Sequence, residues 1–314
     1  MLPLGLFATV NEPLRCEWST GYRNDRIHWH LQDPGDESEL TYVELNRDVE
    51  FWENALVFKV IHRDLSFLVR GAYGAFGRGT LFQKFADLSF TSEQPHFKFD
   101  TSGWSADVSG YFGYAVNLTA DRTYKVILTP LLGMSGHFER LERKNGRPEP
   151  LESDNAIGAN SFAMYSHPND LRMTWYGFFL GGGFTVEPGG RLIFNAGYTY
   201  HWVYTRIHTS VVQEVLLGTP VVSDQITSFS MKASEGGNLG HTGWGQIDYM
   251  LNCFWRLGVG GQIHYYSSKV FNATLHEKVQ TISPTPSTVF SDIPQKLKLR
   301  WTPISGWVQL SREF

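Results

Sequence analysis

Leu192-Ile-Phe-Asn-Ala-Gly-Tyr-Thr-Tyr-His-Trp-Val-Tyr-Thr-Arg-Ile-His208 carries two chemically different rows. Its even positions run Leu192, Phe194, Ala196, Tyr198, Tyr200, Trp202 and Tyr204, whereas its odd positions include Asn195, Gly197, Thr199, His201 and Thr205. Successive side chains of a strand point to opposite faces, so the segment reads as a strand with one apolar face and one small or polar face. The pattern recurs along the chain, and no amphipathic helix is in sight to cover the apolar faces. Lipid is the simplest solvent for them, and a closed transmembrane barrel is the simplest object that leaves no sheet edge in lipid.

Composition agrees. Aromatic residues make up 15 % of the 314 residues, Gly accounts for 31, and mean hydropathy is only −0.24. A barrel tolerates that value because only alternate residues meet lipid. The net charge of −4 leaves no basic footprint for nucleic acid. Cys16 and Cys253 fall in the first and eighth predicted strands, both on the outward parity, so no disulfide is expected. Residues 1–13 are short and apolar without a basic flank, and read as a signal-peptide remnant before a single barrel at 14–314.

Strands are predicted near 14–30, 39–61, 65–77, 97–116, 123–141, 170–185, 191–208, 241–254, 257–270 and 295–314. The fold class is therefore all-β: an antiparallel up-and-down barrel of about ten strands. Connections alternate between short and long, the long ones including 142–169, 209–240 and 271–294, an alternation that a soluble sandwich has no reason to produce. It implies a Gram-negative outer membrane, with periplasmic termini and long loops outside. In the second strand Val43, Leu45, Val49 and Phe51 are assigned outward, with a β-bulge near Trp52–Asn54 restoring parity for Leu56, Phe58 and Val60. The inward row is assigned His137, His201, His264, Glu17, Glu44, Asp107, Lys125, Arg172, Asp248, Lys296 and Lys298. These mixed charges read as a packed interior network without metal-ligand spacing, so no metal and no cofactor are expected.

Several segments resemble the omptins, ten-stranded outer-membrane aspartate/histidine proteases. Thr20-Gly21-Tyr22-Arg23-Asn24-Asp25-Arg26-Ile27 is similar to the omptin Ser-Gly-x-x-x-Glu-Arg-Val, Gly74-Ala75-Phe76-Gly77-Arg78-Gly79 resembles the exit of its third strand, and a gap-free register from Trp175 lays His208 on its catalytic histidine. The resemblance implies a barrel reaching beyond the membrane. It also implies a catalytic water held by an Asp-x-Asp pair and an Asp-x-His pair. Here those positions read Gln83-Lys84-Phe85 and Arg206-Ile207-His208, and neither Gln nor Phe takes a proton from water. A degenerate site without protease activity is therefore expected, with His208 retained. Asp25 matches a position that, in that family, receives a basic side chain. Arg140 and Arg143 are assigned to a lipopolysaccharide phosphate, the one structural ligand expected. The leading functional reading is a monomeric surface barrel whose loops bind a host or surface protein. The alternatives are a narrow porin-like channel and an endopeptidase rearranged around His208 with Asp25 or Asp87.

Overall fold

Alternating rows of this kind form a wall only when every strand finds two neighbours. The computed structural model describes residues 14–32, 40–85, 96–119, 124–148, 163–164, 169–216, 225–281 and 286–314. Among the described residues the wall comprises β1 (Leu14–Gln32), β2 (Leu40–His62), β3 (Leu65–Phe85), β4 (His96–Tyr114), β5 (Lys125–Pro148), β6 (Asn169–Glu187), β7 (Leu192–Leu216), β8 (Gln225–Met250), β9 and β10 (Ser287–Glu313). Strand β9 runs in two stretches, Trp255–Ser267 and Phe271–Thr281. Each strand pairs antiparallel with its sequence neighbours, and β10 returns to β1 from Arg15↔Glu313 to Gln32↔Lys296. Among the described residues the ring of strand pairings is closed.

At one end the strands join through tight turns at 63–64 and 188–191, and both ends of the described wall lie there too. Arg63 (φ 54°) and the pair Gly189 and Gly190 (φ 90° and 81°) take the left-handed conformations those turns demand. Above this short-turn end the outward row includes Trp18, Leu56, Phe67, Phe112, Leu132, Phe178, Phe194, Val259 and Val308. A ring of Tyr22, Trp52, Tyr73, Trp104, Tyr176, Trp202 and Tyr265 completes the band. Such a band with an aromatic girdle is the lipid-facing surface of a barrel.

Beyond the girdle the two faces exchange character, in β1, β6, β7 and β10 with parity unbroken and in β3 and β8 across register shifts at Gly74/Gly77 and Glu235/Asn238. In β1, Trp18 and Tyr22 face outward on even positions, whereas Ile27, Trp29 and Leu31 are buried inward on odd ones. The same exchange separates Phe178 and Leu180 from Leu171, Met173 and Trp175 in β6, and Val308 from Leu297, Leu299 and Trp301 in β10. These inward residues, with Val49, Phe51, Leu141, Val203, Ile207 and Met231, form one apolar core inside the cylinder. Outside them stand Arg26, Arg78, Arg172, Arg206, Lys232, Lys298 and Arg300. A wall with water outside must bury its apolar row inside.

This exchange corrects several sequence-based assignments. Val49 and Phe51 face inward, and the β2–β3 register is continuous from Trp52 to His62, with irregularities lying between Arg47 and Trp52. What reads as a slip of parity is the change of solvent. Arg172, Lys296 and Lys298 face outward for the same reason. The side chains of Val43, Glu44 and Leu45 lie outside the described ones, as do residues 1–13. Much of 209–240 and 271–294 is wall, because β7 runs to Leu216, β8 begins at Gln225, and β9 and β10 extend to Thr281 and from Ser287. Cys253 sits at an exposed turn, not in β8, and both cysteines are unbonded.

Leu299→Ala should cost about 2–5 kcal/mol, the transfer loss plus an unfilled cavity. Leu180→Ala, on the lipid face, should cost less, because lipid or detergent refills the space. Urea midpoints of the refolded barrel check the ordering.

Candidate functional site

Two residues of β1 set the centre of the lumen. The i, i+2 spacing of Arg23 and Asp25 puts both on the inward face, where both are buried. Arg23 donates from Nε to Asp25 Oδ1 at 2.7 Å and from Nη2 to Asp25 Oδ2 at 2.8 Å. Its Nη1 donates across the lumen to Glu53 Oε2 at 3.2 Å and to Asp107 Oδ2. Arg70 Nη2 donates to Glu53 Oε1 at 2.6 Å. The planar guanidinium fork can reach three carboxylates at once, which an ammonium could not do in this geometry.

His137 of β5 completes the layer. Its Nδ1 lies 2.7 Å from Asp107 Oδ1, and its Nε2 lies 3.4 Å from Glu139 Oε2. Its ring stacks on Trp301 with centroids 3.9 Å apart, and Trp301 Nε1 donates to Asp25 Oδ2 at 3.3 Å. Arg23 lies over the same indole at 5.3 Å. The ionic layer thus forms the floor of the apolar core, with Trp301 and Trp175 as the seam.

Below it lies a cavity of about 250 Å³. Asp107, His137 and Trp301 line its roof; Tyr111, His201, His264 and Gln262 are among its walls, and Arg15 and Glu17 line it toward the short-turn end. One wall is a chain of hydroxyls and imidazoles: Ser135 Oγ to His201 Nδ1 at 3.2 Å, His201 Nε2 to Thr199 Oγ1 at 2.8 Å, and Thr242 Oγ1 to His264 Nδ1 at 2.8 Å. Near the short-turn end Asp248 accepts from Asn195, Gln246 and Gln309 at 3.0, 2.8 and 3.2 Å. The side chains just named are tied into networks, as a low-dielectric interior favours.

The positions singled out by sequence fall in different places. Asp25 lies in the layer, and the basic side chain it holds is Arg23. Arg206 and His208 face outward beyond the girdle, while Thr205, Ile207 and Thr209 fill the inward row. His208 and Asp25 are therefore on opposite faces of the wall and form no pair. Gln83 and Phe85 are in β3, their side chains outside the described ones, and Asp87 is outside the described residues. Arg140 faces outward and donates from Nε to Asp170 at 3.1 Å. Arg143 is fully buried inside and donates to Thr209 Oγ1 at 2.5 Å, so it cannot meet an outer lipid phosphate. Three residues apart on a strand, the two arginines have opposite parity. Sequence reasoning missed Glu53, which was read as part of a bulge, and Glu139, whose signal was the His137-x-Glu139 period.

Outside the lipid band, burial and the nearby Lys232 and Arg172 cations lower the His208 pKa. Its imidazole therefore stays neutral to lower pH than an ordinary histidine.

A family model described as Pom, Protochlamydia outer membrane protein, matches residues 17–288. No curated protein sequence matches. Among solved structures, the outer membrane protease OmpT from Escherichia coli aligns over 98 % of this chain and 99 % of its own, with a TM-score of 0.67 and 11 % identity. The translocator domain of the autotransporter NalP from Neisseria meningitidis aligns over 99 % and 91 %, with a TM-score of 0.36 and 12 % identity. At such identities the likeness to OmpT is one of fold alone.

Arg23→Met should destabilise the barrel by about 3–5 kcal/mol by stranding buried carboxylates. Arg23→Lys should restore only part of this, since it keeps the charge and loses the fork; urea midpoints are the readout. The NMR titration midpoint of His208 should lie below that of a free histidine.

Proposed function

The chain belongs to the Pom family of Protochlamydia outer membrane proteins, and from that premise we propose that it is a closed surface barrel, neither a protease nor an open channel. The carrying observation is the apolar core inside the wall beyond the girdle, where Trp29, Phe51, Leu171, Leu297 and Leu299 pack together. Water and ions avoid such a region, and a peptide has no cleft to enter there. The short-turn end, where both ends of the described wall lie, faces the periplasm, following the usual placement of short turns. The opposite end then stands outside the cell, where the connections between strands meet a host or surface protein. A monomer suffices for this role, because the sheet is closed. On the outer wall Arg140 and Arg172, both bonded to Asp170, offer guanidinium groups to the phosphate of an outer-leaflet lipopolysaccharide.

The cavity below the ionic layer favours a second reading, a narrow pore that opens when the core rearranges. The polar and mixed-charge side chains along it, among them Arg15, Glu17, Asp107, His201 and Gln262, suit small hydrated solutes.

Two measurements separate these readings. Planar bilayers containing the refolded protein should remain silent at all voltages; steady single-channel conductance would establish the pore instead. Removing residues 150–162, between β5 and β6, should leave a folded barrel that has lost its surface binding. Undiminished binding by that variant would overturn the surface-barrel reading.

A further inference from the structure

The ionic layer has the makings of a metal centre that the electrostatic role of Arg23 does not require. We propose that Asp25, His137 and Glu139 bind one divalent transition-metal ion, best suited to zinc, and so tie β1 to β5 across the lumen. One ligand atom from each of these buried residues lies within 4.8 Å of the others. The His137 Nε2 to Glu139 Oε2 distance of 3.4 Å is too long for a strong hydrogen bond. It matches the edge of a tetrahedron around zinc, about 3.4 Å for bonds of about 2.0–2.2 Å.

The surroundings fit as well. Asp107 bonds Nδ1 of His137 at 2.7 Å, which fixes the ring and leaves Nε2 to donate its lone pair. A carboxylate holding the far nitrogen of a histidine is the usual support of a metal-bound imidazole. The independent observation is Glu139, whose side chain is 1 % exposed and whose Oε1 has no hydrogen-bond partner among the described residues. A carboxylate oxygen so placed needs a cation or a proton. Charge points the same way: among the described residues the permanent cations that contact Asp25, Glu53 and Asp107 are Arg23 and Arg70, Glu139 contacts His137, and with His137 neutral as a metal ligand a dication supplies the two missing charges. Oδ2 of Asp25 is taken by Arg23 Nη2 and Trp301 Nε1, but Oδ1 accepts from Arg23 Nε and keeps a lone pair, so metal and guanidinium can share the carboxylate through Oδ1. The adjoining cavity, which Asp107 and His137 line, provides the entry path. One imidazole and two carboxylates suit zinc better than magnesium or calcium.

The test uses the full chain refolded in detergent, stripped with a chelator, then titrated with zinc alone by calorimetry and with cobalt as an optical probe. One equivalent of zinc should bind per chain, and cobalt should give the intense visible absorption of a tetrahedral site. Glu139→Gln, which keeps the shape and removes the charge, should weaken zinc at least tenfold. His137→Gln should do the same, and Asp107→Asn should weaken it ten- to a hundredfold. The outer-wall variants His208→Gln and His28→Gln with His30→Gln should leave affinity unchanged. Heat-modifiable gel mobility verifies folding, so Glu139→Gln decides the matter even if His137→Gln does not fold. The proposal fails if the folded protein takes up no stoichiometric zinc, which would mean that protons neutralise the layer. It fails equally if binding survives Glu139→Gln and disappears with the outer-wall histidines.

Discussion

A closed sheet has two faces and must satisfy a different medium on each at every height. That constraint organises this protein. Within the lipid band the apolar row looks outward and the inside can be polar. Beyond the girdle water lies outside, the apolar row turns inward, and the cylinder acquires the core of a soluble protein. In β1, β6, β7 and β10 this happens without a change of pleat, the apolar positions passing from even to odd numbers. The ionic layer sits where the two regimes meet.

The layer follows from that position. A polar interior ending against an apolar core creates an abrupt fall in dielectric, where unpaired charges are most costly. Arg23 answers with a fork that touches three acids, and Trp301 covers the other side with both a ring face and a donor. Removing such a group differs from exchanging the whole network for apolar side chains, which can be tolerated in a buried site.

Much of this was legible in the sequence, because strand parity is a local property. The alternation of Leu192–His208, the even strand count and the alternation of short and long connections suffice for a barrel. Parity, however, does not say which solvent each face meets. Val49 and Phe51 therefore read as outward until the wall is known to continue past the membrane, and Lys298 reads as inward by the same error. The stretches 225–240 and 271–281 look like loops because their polar rows meet water instead of lipid. At the ionic layer, Arg23 and Asp25 are two positions apart in sequence and visible there. Their partners Asp107, His137 and Trp301 arrive from distant strands, and only closure of the cylinder brings them together.

Closure also has a consequence for how the molecule comes into being. Arg15 pairs with Glu313, and the amide of Phe314 bonds to the carbonyl of Leu14 at 2.8 Å. The seam thus joins the two most distant parts of the wall, and until the last strand is in place β1 and the newest strand each expose an unsatisfied edge. Such non-local pairing makes assembly slow and leaves growing chains open to aggregation. The full set of hydrogen bonds therefore arrives only when the cylinder zips shut as a whole.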